Sequence, residues 1–148
     1  MENNNDLIEA LRAAQRSVFK TCATYRMILQ VFGPVPPFRE MLLVEQRHRT
    51  VLTGMLRKLG AAAPIDDWET RAAIPVTLID AGEDALETAM AHAALYERLY
   101  EQMRDPAARR IFRRMRNISR DIHQPALRRC LEQARAEEMR LEPRMMLA

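Results

Sequence analysis

From Leu7 to Phe32 the residues Leu7, Leu11, Ala14, Val18, Cys22, Tyr25, Leu29 and Phe32 recur at helical spacing. A stripe kept up for roughly seven turns fixes one long amphipathic helix, and such a helix can bury its apolar face only against others of similar length. Asn5 and Asp6 are suited to cap its start. Gly33-Pro34-Val35-Pro36-Pro37 stops it, because three prolines in four positions cannot continue a helix.

A second stripe, Phe38, Met41, Glu45, His48, Leu52, Met55, Leu56 and Leu59, predicts helix 2, with Gly60 as its stop. The segment 61–76 holds Pro64, Pro75, Trp68 and the acids Asp66, Asp67 and Glu69 without a helical period. Extended, it reaches roughly 50 Å, enough to cross a bundle end to end, so helices 2 and 3 are expected to run parallel with Trp68 pinning the strap. Thr77 caps helix 3, which turns Leu86, Ala89, Ala93, Tyr96, Tyr100 and Met103 inward. Asp105-Pro106 starts helix 4, a capping carboxylate followed by proline at the first helical position. Pro125 lies inside helix 4 and must free the Asp121 carbonyl, which predicts a kink or a local wide turn. Pro143 is expected to end the helix. The chain thus divides into an all-α four-helix bundle over 1–142 and a short C-terminal tail over 143–148 that carries Met145, Met146 and Leu147.

Composition agrees, with 48% hydrophobic residues and only 4 Gly. A balance of 23 basic against 20 acidic residues, net +3, is too even to require a nucleic-acid or membrane partner. No apolar run approaches the roughly 18 residues that span a bilayer. Cys22 and Cys130 form no disulfide framework, and the N-terminus shows no signal-peptide pattern, so a cytoplasmic location is expected. Arg109, Arg113, Arg116 and Arg120, with Arg110 and Arg114 beside them, could contact phosphates. They lack the interleaved aromatics that stack on bases. A solvated face, or a dimer surface set against Glu97 and Glu101, is the simpler reading.

Glu45 and His48 stand three residues apart and share one helical face, which is the apolar one. Burying a carboxylate costs several kcal/mol unless a cation or strong hydrogen bonds compensate it, so something positive should stand opposite Glu45. His92 is read as a hydrogen-bonded histidine on a flank of helix 3 with Ala85, Thr88, Leu95 and Leu99, and Cys22 as a small core hydrophobe.

The stretches Ile28–Gly33, Val35–Phe38, Glu45–His48, Gly60 through Pro64 to Trp68, Ala94-Leu95-Tyr96 and Ile122–Leu127 with Cys130 resemble a small rubrerythrin-related family of bacterial and archaeal ferritin-like proteins. The resemblance covers nearly the whole chain, from Leu7 to Glu132. It implies a ferritin-like bundle with a long crossover between helices 2 and 3, whose core in the wider superfamily holds two Fe or Mn ions. Those ions are bound by one Glu from each of two helices and a Glu-x-x-His from each of the other two. Residue by residue, Glu45 and His48 match the first such pair and His123 the histidine of the second. The remaining glutamate positions fall on Val18, near Ala89 with Glu87 close by, and on Arg120.

One carboxylate cannot neutralise two divalent ions, so di-iron chemistry is not expected. Two arrangements remain. Either Glu45, His48 and His123 hold a single Fe, Mn or Zn ion, or the Arg120 guanidinium replaces the metal in an ion pair with Glu45. The pair is preferred, since a fixed cation at a ligand position repels a metal by roughly several kcal/mol. The leading expectation is therefore a degenerate, metal-free, non-enzymatic interaction or scaffold protein, a homodimer with a possible protein partner. The alternatives are a mononuclear metal protein and an Arg-rich DNA-associating relative.

Overall fold

A computed structural model describes residues 3–147, with side chains over 3–142. The chain is helical throughout its ordered elements: α1 (Asn4–Phe32), α2 (Phe38–Lys58), a 3-10 turn (Trp68–Thr70), α3 (Leu78–Gln102), α4 (Pro106–Ile118), a π-helical stretch (Ser119–His123) and α5 (Gln124–Leu147). The last three run on without a break. They form one long helix with a wide turn inside it, one of the two distortions that the lost N–H of Pro125 predicts.

The caps follow local chemistry. Asn3, two residues before the expected cap, accepts from Asp6 N at 2.9 Å and starts α1. Gly33 ends it at φ +80°, where its N–H reaches the Leu29 carbonyl. Thr77 caps α3 and Asp105 caps α4, each through its side-chain oxygen. The helix does not stop at Pro143 but continues to Leu147. A proline there forfeits only the bond to the carbonyl of Met139, an exposed residue that water can serve. The side chains of Met145, Met146 and Leu147, and Ala148 altogether, lie outside the described residues.

Two apolar cores fill the two ends of the molecule. One gathers Leu11, Leu52, Leu56, Tyr96, Phe112 and Met115; the other gathers Tyr25, Ile28, Phe38, Met41, Ala85 and Leu127. Each of the Leu, Ile, Phe and Met side chains among them, fully buried, contributes about 1.5–3 kcal/mol. The segment after α2 lies along α1, where the Ala62 carbonyl accepts from Arg12 and Glu69 from Arg26, and it is tied back to α2 where Asp66 accepts from Arg49. Trp68 has the Lys20 ammonium 5.4 Å from its ring centroid. Among the described residues no helix is long and apolar enough to cross a membrane.

Candidate metal centre

Between the two cores sits a polar layer built on one carboxylate. Glu45 and His48 share the inward face of α2 between Met41 and Leu52, His92 stands on α3 between Ala89 and Tyr96, and His123 ends the π-helical stretch. All three histidines of the chain converge there. His48 Nδ1 is 3.3 Å and His92 Nε2 3.2 Å from Glu45 Oε2, and His123 Nδ1 is 3.7 Å from Oε1. Glu45 is 1% exposed, and His48, His92 and His123 are 6%, 2% and 3% exposed. On the far side of its ring, His92 Nδ1 meets Ser17 Oγ of α1 at 2.5 Å.

The electrostatics follow from burial and from these contacts. Burial by itself raises the Glu45 carboxyl, but the charge of His92 and hydrogen bonds from His48 and His92 outweigh it and hold the group well below the usual carboxylate range. His123 is pushed below the ordinary histidine value by burial, against the pull of Glu45. Cys22 is pushed up to about 12 by burial and then by Glu45, which leaves an inert thiol. Tyr25 and Tyr96 are raised by the same two causes.

Arg120 does not pair with Glu45. Its side chain is 55% exposed, and its Nε donates to Asp121 at 2.9 Å. The reason is the π-helical stretch. In an α-helix, positions three apart share a face, but here the turn is widened to roughly four to five residues, so positions four apart share one. Ser119 and His123 are accordingly buried together, and Arg120 swings outward. Ser119 Oγ donates to the Ala89 carbonyl at 2.7 Å and fastens the wide turn to α3. Val18 and Ala89 are buried in the cores, and Glu87 is exposed.

His92 is the residue that sequence reasoning undervalued. It lies seven residues after Ala85 and four before Tyr96, on the inward stripe of α3 rather than its flank. Ala85, Ala89 and Ala93 around it are small enough to leave an imidazole its space. Ser17, next to Val18, carried no signal of its own.

Among the described residues no three or more His, Cys, Asp or Glu side chains form a metal cage as placed; the imidazoles face the carboxylate itself. The donor set nevertheless fits one ion chemically. Three imidazoles and one carboxylate suit Zn, Fe or Mn, and neutral rings would leave the layer a net buried negative charge that a cation offsets. It does not fit two ions, for want of bridging carboxylates.

The arginine stripe is partly spent within the molecule. Arg109 donates to the Tyr100 and Met103 carbonyls, Arg116 pairs with Glu97, and Arg120 with Asp121. Arg110, Arg113 and Arg114 are exposed. The chain matches no family model and no curated protein, so geometry alone carries the functional reading.

Proposed function

We propose that the protein is a ferritin-like bundle with a reduced centre, which binds a single Fe, Mn or Zn ion through Glu45, His48, His92 and His123. The observation that carries this is one buried carboxylate within 3.7 Å of three buried imidazoles drawn from three helical segments. The competing scaffold reading rested on the Glu45–Arg120 pair, and Arg120 is engaged elsewhere. Segment 59–77 is read as the crossover of the ferritin plan, on the support of its contacts along α1 through Arg12 and Arg26. A homodimer is part of the same reading, favoured by the exposed apolar Val51 and Ile122.

The test is elemental analysis of protein purified without chelators and reconstituted with Fe, Mn and Zn in turn. About one ion per chain, lost in His92→Ala and in His123→Ala, supports the reading. Two per chain would show the donor count to be wrong. None with any of the three metals would sink the reading and leave a proton on one histidine as the compensation for Glu45.

A further inference from the structure

The segment 59–77 does more than connect two helices. Between it, α1 and α3 lies a cavity of about 740 Å³, well within the range of small-molecule sites. Its charge is one-sided. Arg16, Lys20, Arg71 and Arg98 line it against a single carboxylate, Asp67, which Arg71 already engages at 3.4 Å. Arg16 and Arg98 are exposed and have no hydrogen-bond or ion-pair partner among the described residues. Four cations brought to one recess repel one another, a cost that an incoming anion removes.

The wall is not that of a site for a bare ion. Trp68 holds the Arg71 guanidinium 4.0 Å and the Lys20 ammonium 5.4 Å from its ring centroid, and Leu95 and Ile65 extend the apolar surface. Ile65 is 90% exposed, an apolar side chain left standing at the rim. The floor is polar again, with the hydroxyls of Ser17 and Thr88. Guanidinium forks match a carboxylate in two parallel hydrogen bonds, and aliphatic side chains beside an indole that its own cations flank match an apolar body.

We infer that this cavity binds a small organic anion, a carboxylate carried on a planar apolar group. Arg16 and Arg98 hold the carboxylate, and Trp68, Leu95 and Ile65 hold the body. Inorganic phosphate would leave the apolar wall unused, and a neutral aromatic would leave the cations unsatisfied. The inference is independent of metal at Glu45, although it places the bound molecule beside Ser17, the hydroxyl that contacts His92.

Trp68 is the only tryptophan of the chain, so its fluorescence reports on this cavity alone. Full-length protein is titrated with phenylacetate, with its neutral isostere 2-phenylethanol and with inorganic phosphate, and the phenylacetate affinity is checked by calorimetry. Phenylacetate should give a saturable change, 2-phenylethanol and phosphate should bind at least about tenfold more weakly, and Arg16→Ala with Arg98→Ala should cost at least about tenfold with the helical circular dichroism unchanged. The inference is overturned by no saturable response to phenylacetate, by equal binding of either comparator, or by a folded double variant that binds as well as the parent.

Discussion

Ser17 Oγ and His92 Nδ1 stand 2.5 Å apart across the α1–α3 interface, and the contact fixes which edge of the imidazole faces the core. The opposite nitrogen of the same ring lies 3.2 Å from Glu45. One histidine thus links α1, α3 and α2, and the hydroxyl outside the layer orients a donor inside it. Such outer partners set ligand orientation and basicity at metal sites.

Ser17→Ala should therefore weaken metal binding by about 10–100-fold without unfolding the bundle, and Ser17→Thr should restore most of it. Competition against a chromophoric chelator measures this directly. Equal affinity in Ser17→Ala and the parent would reduce the contact to packing.

In metal-free protein Glu45→Ala should cost about 2–3 kcal/mol, because His48 and His92 lose a buried acceptor that water cannot replace. Glu45→Gln keeps an acceptor oxygen and should cost clearly less, yet it removes the charge and should abolish metal binding. Urea unfolding in the presence of a chelator separates the two. Equal destabilisation by both variants would show that charge, not the hydrogen bonds, is what the layer needs.

Stability of the metal-free protein should fall with acid in two stages. His123 has a folded value below its ordinary 6.5, so below that pH the unfolded chain takes up a proton that the folded one refuses. Glu45, held below its ordinary 4.5, contributes stability that is present above that value and is lost as pH falls toward its folded one. Both shifts make the unfolded state the better proton binder, so they act in the same direction. Urea midpoints taken from pH 8 to pH 4 should decline from about pH 6.5 downward, and His123→Ala should flatten the upper stage. A midpoint that held steady from pH 7 to pH 5 would contradict the His123 assignment.

The helices, their turns and the Glu45–His48 pair were legible in the sequence, because each rests on local spacing. The stripe of α1, the prolines after Phe32 and the Asp105-Pro106 start act within a few residues of themselves. The layer's membership was only half legible. Pro125 announced a disturbance in the last helix but not its sign, and one residue added to a turn moves every position before His123 onto another face. His92 stood on the correct stripe, yet a lone histidine there looks the same whether it meets a carboxylate or a carbonyl.

The same wide turn bears on whether a second ion can be restored. Placing a glutamate three residues before His123 would rebuild a Glu-x-x-His pair if Ser119–His123 were α-helical. It is π-helical, so position 120 projects to solvent beside Asp121 and Asn117, while Ser119 occupies the inward place. Arg120→Glu should consequently leave the stoichiometry at about one metal per chain and change stability by no more than about 0.5 kcal/mol, as for an exposed substitution. Ser119→Glu, in contrast, should disrupt the bond to the Ala89 carbonyl and bury a new charge, with a loss of about 2 kcal/mol or more in metal-free protein. Metal analysis of Arg120→Glu decides the point. A gain to two ions would mean that the helix rewinds to bring position 120 inward, and the π-helical account of the centre would be wrong.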